Sequence, residues 1–199
     1  MVVDDNSPDG TADKAKKLRQ KNVRVIKRVD ERGLVSAIQR GIDEAKGHIV
    51  VWMDCDMSHP PSLIPALLKE IEINGCDIAT ASRYAKGGAD NRPFSRRITS
   101  SALNIFARLI LTREIKDYTT GFVAARKGIF RSIALNGDYG EYCVKFLYDS
   151  YKSGFKIKEV PYAFNDRLRG ETKTAGNWHS LIGHGWNYGL MVLKLKGGH

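Results

Sequence analysis

The chain has 199 residues and a formal net charge of +10 at pH 7. This length suffices for one well-buried domain, and a hydrophobic content of 42% with 27% charged residues is ordinary for a globular protein. The excess of positive charge favours an anionic partner: nucleic acid, a phosphorylated ligand or an anionic membrane surface. No apolar run approaches the ~18–20 residues of a membrane span, and the first residues do not resemble a signal peptide.

Strands and helices alternate over the first eighty residues. The predicted strands cover residues 2–3, 23–26, 48–53 and 77–81. The predicted helices between them cover residues 11–20, 33–45 and 61–73. Helices that connect successive strands at this spacing predict an α/β fold with a mostly parallel, doubly wound sheet.

The second half of the chain is richer in helices. The pattern predicts a flexible loop over 87–93, an amphipathic helix with a basic start over 95–113, and a turn that leads into a strand over 117–125. It then predicts helices over 127–135 and 140–153, a strand over 155–161, a polar loop over 164–174 and a helical tail over 176–195. No linker or repeat divides the chain, so residues 1–199 are predicted to form one domain. The three cysteines are too widely spaced for metal-type pairing, and reduced thiols are expected.

Asp54 and Asp56 directly follow the predicted strand at 48–53. Residues two apart in an extended chain point the same way, so both carboxylates can face one side. In α/β sheets the carboxyl ends of the strands are where ligands bind. Two carboxylates there suit Mg²⁺ or Mn²⁺ and, with the ion, a diphosphate. A solvated turn closed by Pro60 and Pro61 is the alternative.

Six segments together resemble a known family. They are residues 2–11, 32–37, 54–61, 82–84, 117–122 and 167–173. In this order they are similar to the polyprenyl-phosphate glycosyltransferases of glycosyltransferase family 2, and in pattern to the dolichol-phosphate mannose synthases. The resemblance implies a GT-A fold with C-terminal amphipathic helices, a nucleotide-sugar donor, a divalent metal and a lipid-phosphate acceptor.

The sequence departs from that family in two places. Members usually begin with a further strand and helix that carry a Pro-x-Tyr-Asn-Glu-like segment, so this sequence is N-terminally truncated relative to the family. The two alternatives are that the sequence is a fragment of a longer protein or that a partner segment completes the sheet. Ser58 stands where members often have Gln, and its hydroxyl is expected to meet the metal or a metal-bound water.

The resemblance assigns roles to residues that hold the donor and the metal. Its metal set is Asp54, Asp56 and Ser58. Its donor-binding set is Asp4, Asp5, Gly33, Asp54 and Asp117. For Asp4 and Asp5, capping of the next helix is the alternative. His59 is expected to fix the loop rather than bind the ion.

The acceptor side is predicted to carry cations instead of a base. A lipid phosphate has a second pKa of about 6, so it is largely ionised at neutral pH and needs no catalytic base. It needs positive groups that hold it in line with the anomeric carbon. The predicted acceptor-phosphate set is Arg83, Arg96, Ser100 and Arg167. The predicted catalytic set is Asp54, Asp56, Arg83 and Arg167.

The predicted activity is inverting, metal-dependent transfer of a hexose to a polyprenyl or dolichyl phosphate. GDP-mannose is the first choice of donor. A family-2 transferase that uses UDP-glucose or a saccharide hydroxyl acceptor is the alternative. A basic nucleic-acid-binding protein is the alternative from another class, but the basic residues follow no recognised DNA or RNA motif, and nucleic acid is not the expected partner. The predicted location is peripheral, on the cytoplasmic face of a membrane.

Overall fold

The computed structural model describes residues 1–137, 140–165 and 178–197, without the side chains of residues 95–96 and 178–184. The strands are β1 (Val2–Asp4), β2 (Val25–Lys27), β3 (Ile49–Trp52), β4 (Ile78–Ser82), β5 (Ala89–Asp90), β6 (Val123–Arg126), β7 (Ile157–Pro161) and β8 (Ala163–Phe164). The helices are α1 (Thr11–Lys17), α2 (Leu34–Glu44), α3 (Ile64–Glu72), α4 (Phe94–Ile110), α5 (Tyr142–Lys152) and α6 (Trp178–Gly197). Two 3₁₀ turns cover Pro61–Leu63 and Lys127–Arg131.

The central sheet has four strands in the order β3-β6-β4-β7. β4 and β7 are parallel, whereas β6 is antiparallel to both of its neighbours. β1 and β2 form a separate parallel pair, and so do β5 and β8. The predicted α/β class is therefore confirmed, but the central sheet is mixed, because β6 enters between β3 and β4 in the reverse direction.

Two local predictions were wrong. The predicted helix over 127–135 is a single 3₁₀ turn, Lys127–Arg131, after which the chain leaves helical structure. The predicted loop at 87–93 contains the strand β5, and the predicted loop at 164–174 begins at the last residue of β8. Each of these strands has two residues and, within the described part of the chain, pairs only with the other across more than seventy positions, so no local pattern marks them. The part of the loop beyond Asn165 lies outside the described residues, up to residue 177.

The core has two parts, one on each face of the central sheet, and β6 contributes to both. Val123 and Ala125 belong to the part that also contains Ile42 of α2 and Phe146 of α5. Phe122 and Ala124 belong to the part that lies beneath Leu67 and Ile71 of α3. Because alternate residues of a strand point to opposite faces, β6 is buried on both sides. Full burial of a Leu or Ile side chain contributes about 1.5–3 kcal/mol, so these layers fix the strand ends that carry the site.

Candidate active site

The segment after β3 brings Asp56 and Ser58 together. One carboxylate oxygen of Asp56, Oδ1, accepts hydrogen bonds from the Ser58 backbone N–H at 3.1 Å and from the Ser58 hydroxyl at 2.5 Å. Ser58 is buried, while Asp54 is exposed. Between them Met57 has a φ of 67°, a left-handed conformation that turns the chain sharply. The predicted metal residues therefore lie in one tight turn at the end of a central strand.

His59 holds this turn against the core. Its Nδ1 accepts a hydrogen bond from the Asp54 backbone N–H at 3.0 Å, and its ring stacks on Phe122 with centroids 5.3 Å apart. Burial lowers the pKa of His59 although Asp54 and Asp56 oppose the shift, so the neutral imidazole is favoured. With Nδ1 occupied, His59 fixes the loop, as the sequence predicted.

The possible metal ligands in this turn can be compared with the ligands that a metal ion requires. Within residues 1–137, 140–165 and 178–197, no group of three His, Cys, Asp or Glu side chains is arranged to hold an ion. Asp54, Asp56 and Ser58 instead offer two carboxylates and a hydroxyl. Mg²⁺ is commonly bound by one or two carboxylates together with waters and substrate phosphates. The residues present therefore fit an ion that is shared with a phosphorylated substrate.

Arg83 and Asp117 form a buried ion pair at the end of β4. The Asp117 carboxylate accepts from Arg83 Nε at 2.8 Å and Nη2 at 2.7 Å, and also from the Arg83 backbone N–H at 3.0 Å. Nη1 reaches the Ser100 hydroxyl on α4 at 3.1 Å, and Nη2 also donates to Thr119. Burial alone would lower the pKa of Arg83, but the Asp117 carboxylate outweighs it and the net pKa is raised. Arg83 is thus a fixed, permanently charged group.

Two residues from other elements hold the turn that carries Asp117. Glu159 of β7 accepts the backbone N–H groups of Lys116 and Asp117 at 3.1 and 2.8 Å through a single oxygen, Oε1. Asn104 of α4 accepts the Tyr118 N–H at 2.6 Å and donates to Thr119 at 2.8 Å. Burial raises the pKa of Glu159 above its ordinary value, although the two N–H groups oppose the shift. The ion pair of Arg83 and Asp117 is therefore supported both by the sheet, through Glu159, and by α4, through Asn104.

A polar cleft of about 420 Å³ opens beside Arg83. Its lining combines cationic, amide and hydroxyl groups: Arg83, Tyr84, Gly88, Ala89, Asp90, Asn91, Arg97 and Ser101. Gly88 is required there, since a Cβ would lie 2.6 Å from the carbonyl oxygens of Ser82 and Arg83. Asp90 pairs with Arg92 at 2.6 Å and lies 3.7 Å from Arg83. The cleft can receive an anion against Arg83 and Arg97.

The predicted donor residues near β1 accept hydrogen bonds from neighbouring segments. Asp4 accepts the Ser7 N–H at 3.0 Å, while Asp5 accepts from Arg28 Nε at 2.6 Å and from the Gly33 N–H at 2.8 Å. Capping of the next helix, the alternative for these aspartates, was wrong, because Gly10 is the N-cap of α1 and no side chain caps it. Their role in donor binding stays a prediction.

The structure thus joins Asp5 to Gly33, Asp56 to Ser58, and Arg83 to Asp117 and Ser100. The side chain of Arg96 and all of Arg167 lie outside the described residues. Sequence reasoning missed the residues that brace these groups: Arg28, Asp90, Asn104, Thr119 and Glu159. A polar residue inside an apolar segment was the available signal for Asn104, and Thr119 lies within the motif at 117–122.

Solved structures share this fold. Glucosyl-3-phosphoglycerate synthase from Mycobacterium tuberculosis, crystallised with Mn²⁺, uridine diphosphate and glucosyl-3-phosphoglycerate, superposes with a TM-score of 0.74 at 19% identity, over 98% of this chain and 68% of that one. Its complex with Mg²⁺ and uridine diphosphate gives a TM-score of 0.73 at 18% identity, over 99% of this chain and 68% of that one. The GT-A glycosyltransferase fold is therefore confirmed.

Sequence comparison identifies the family within the GT-A glycosyltransferases to which the chain belongs. The profile described as "Glycosyl transferase family 2" matches residues 1–134. A dolichol-phosphate mannosyltransferase of Pyrococcus furiosus is 44% identical over 180 residues, which cover 88% of this chain and 50% of that protein. A polyprenol monophosphomannose synthase of Mycolicibacterium smegmatis is 35% identical over 187 residues, which cover 89% of this chain and 70% of that protein. The chain belongs to glycosyl transferase family 2, and it spans about half the length of the first of these relatives.

Proposed function

We propose that residues 1–199 form one catalytic domain that transfers a hexose from a nucleotide sugar to a polyprenyl or dolichyl phosphate, with inversion. Mannose from GDP-mannose is the donor we favour. The names of the relatives support this substrate class, since similar proteins from P. furiosus and M. smegmatis are a dolichol-phosphate mannosyltransferase and a polyprenol monophosphomannose synthase. The observation that carries the proposal is the buried Arg83, held by Asp117 at the wall of a cationic cleft.

Two carboxylates, Asp90 in the cleft and the buried Asp117 beside Arg83, argue for a phosphate acceptor over a hydroxyl acceptor. A saccharide hydroxyl must lose its proton to a base, whereas an ionised phosphate only needs to be held in line. Asp117 is committed to Arg83. Burial would raise the pKa of Asp90, but hydrogen bonds and charge from Arg92 outweigh it and the net pKa is lowered. Among the described residues that line the cleft, Asp90 is the one carboxylate, and its lowered pKa makes it a poor base, whereas the arginines suit a phosphate.

The donor is proposed to lie between β1 and the turn after β3. Asp54, Asp56 and Ser58 would hold Mg²⁺ or Mn²⁺ against the diphosphate, and Asp4, Asp5, Gly33 and Asp117 would contact the rest of the donor. When bound, such an ion neutralises the charge that grows on the leaving nucleoside diphosphate. Arg83 and Ser100, together with Arg96 and Arg167, are proposed to orient the acceptor phosphate so that its oxygen attacks the anomeric carbon.

We propose that an extended partner segment pairs with both β1 and β3. Within the described residues β1 pairs only with β2, and β3 only with β6. The backbone groups of Val3 point away from β2, and those of Ile49 and Val51 point away from β6, because adjacent residues of a paired strand face opposite edges. Such open edges accept a further strand. Addition of the partner segment to the chain should slow hydrogen exchange at the backbone amides of Ile49 and Val51. Unchanged exchange at both amides would exclude this pairing.

The described helices include none long and apolar enough to cross a membrane. α4 nevertheless exposes a row of apolar side chains at helical spacing: Phe94, Ile98, Ile105 and Leu109, which are 73%, 51%, 54% and 64% exposed. Its other face, with Leu103, Phe106 and Ile110, packs against the core. Trp186 and Leu193 of α6 are also exposed. We place the exposed row of α4 at an anionic membrane surface, where Arg97 can meet headgroups and the cleft can meet a lipid phosphate.

A transfer assay tests the proposed function. The chain is incubated with radiolabelled GDP-mannose or UDP-glucose, Mn²⁺, and either a polyprenyl phosphate or a saccharide acceptor. Label from GDP-mannose should enter the lipid phosphate and should require the metal. Transfer only to the saccharide would overturn the acceptor assignment.

Nucleic-acid binding is tested by thermal stabilisation. GDP with Mn²⁺ should raise the unfolding midpoint, whereas an oligonucleotide of matched charge should not. A rise with the oligonucleotide alone would favour the binding protein over the transferase.

A further inference from the structure

Phe164 lies where the metal-binding segment and the cationic cleft meet. It belongs to β8, and its carbonyl accepts a hydrogen bond from the Asn91 N–H at 2.9 Å. The register of the β5–β8 pair sets Asp90 opposite Phe164. This short pairing therefore fixes the partly buried ring beside the arginines that follow β4 and β5.

Two guanidinium groups lie over the Phe164 ring, that of Arg83, which lines the cleft, and that of Arg92, which pairs with Asp90 of the cleft. The Cζ atom of Arg92 is 4.9 Å from the ring centroid, and that of Arg83 is 5.5 Å away. Both distances are within the range of cation–π attraction. The same two arginines also face Asp90. The ring and the carboxylate together hold the cationic wall of the cleft in one arrangement.

The ring also contacts the residue that anchors the metal-binding turn. The His59 and Phe164 rings meet edge to face, with centroids 5.6 Å apart and planes inclined by 65°. His59 in turn accepts the Asp54 backbone N–H. Phe164 thus contacts the support of Asp54 on one side and the guanidinium groups of the cleft on the other.

We propose that Phe164 is a positioning residue that couples the two halves of the site. It would keep Arg83 and Arg92 in place for an anionic acceptor and, through His59, keep the backbone of Asp54 in place for the metal. This inference rests on the proposed function for the chemistry of the two halves. The ring also packs against the core beneath α3, so a purely structural role is the competing explanation.

Three variants separate these explanations. Phe164→Leu keeps an apolar side chain but removes the ring face, and Phe164→Tyr keeps the ring. Phe155→Leu is the matched control, since Phe155 is a partly buried ring that packs against the other part of the core. The probes are farnesyl phosphate binding by calorimetry in the presence of Mn²⁺ and GDP, and hydrogen exchange at the Asp54 amide by NMR.

Phe164→Leu should weaken farnesyl phosphate binding by about fivefold to tenfold, the order of magnitude of the cation–π contacts that it removes, and should speed exchange at the Asp54 amide. Phe164→Tyr should restore both values, and Phe155→Leu should change neither. Equal behaviour of Phe164→Leu and Phe155→Leu in both measurements would reduce Phe164 to a packing residue. If the unaltered chain does not bind farnesyl phosphate, the proposed function fails, and the Asp54 exchange comparison alone decides the inference.

Discussion

Asp117 holds both the side chain and the backbone of Arg83, two residues that are 34 positions apart in the sequence. Sequence motifs predicted them separately, one for the acceptor and the other for the donor. In the structure they are one buried unit, so the position of Arg83, the proposed acceptor-phosphate residue, depends on a residue that the sequence assigned to the donor. A substitution of either Arg83 or Asp117 is therefore expected to displace the other residue.

Removal of the charge of Asp117 should destabilise the fold. Asp117→Asn removes the close counter-ion of the buried Arg83 guanidinium and leaves it the Asp90 carboxylate at 3.7 Å, and breaking a buried pair costs about 3–5 kcal/mol. Urea unfolding measures the loss. The double variant Arg83→Met/Asp117→Leu should recover most of it, because neither charge remains buried. A single variant that is within about 1 kcal/mol of the unaltered chain would show that the pair is not a structural unit.

Glu159 should make stability depend on pH. Its pKa is raised by burial, so its favourable contribution is complete below the ordinary carboxyl value and is lost as the pH rises through the raised pKa. Glu159→Gln keeps an oxygen for the N–H groups of Lys116 and Asp117 without the buried charge. The variant should therefore gain stability relative to the unaltered chain as the pH rises from 4 to 8. Urea unfolding of both chains across this range measures how the stability difference changes with pH. A gain in stability of the variant that is confined to acid pH would contradict the prediction.

Asp56→Ala should remove metal-dependent donor binding and preserve the fold. Asp56 is partly exposed and accepts hydrogen bonds from Ser58, and a hydrogen bond of this kind contributes about 1 kcal/mol, so the fold should survive the change. Calorimetry with Mn²⁺ and GDP should show affinity weaker by at least about tenfold. Asp56→Asn retains the shape of the turn and should show the same loss, since the charge is what the ion needs. Unchanged affinity in both variants would exclude Asp56 from the metal site.

Charges placed on the exposed row of α4 should release the chain from membranes. Ile98→Asp with Leu109→Asp introduces carboxylates where the row would meet anionic lipid, and recovery with anionic liposomes should fall by about tenfold or more. Ile73→Asp is the matched control, because Ile73 is 72% exposed at the end of α3. Binding of the unaltered chain should weaken as salt rises through ~0.1–0.5 M. Equal sedimentation with and without anionic liposomes at low salt would contradict the assignment.

The parts of the fold that repeat a local pattern were predictable from sequence. The apolar run before Asp54 has the length and composition of a buried strand, so the carboxylates were correctly placed at a strand end. The antiparallel entry of β6 and the β5–β8 pair were not predictable, because both depend on contacts between distant segments. The same holds for the site: Asp56 and Ser58 are two positions apart and were expected together, whereas Glu159 reaches Asp117 from another strand and carries no motif.

The most direct test of the central claim follows the oxygen atoms of the acceptor. Polyprenyl phosphate with ¹⁸O in its non-bridging positions is incubated with GDP-mannose and Mn²⁺, and both products are analysed by mass spectrometry. If a phosphate oxygen attacks the anomeric carbon, the mannosyl phospholipid retains all of the label and the released GDP carries none. Label in GDP, or mannose attached elsewhere than to the lipid phosphate, would contradict the account.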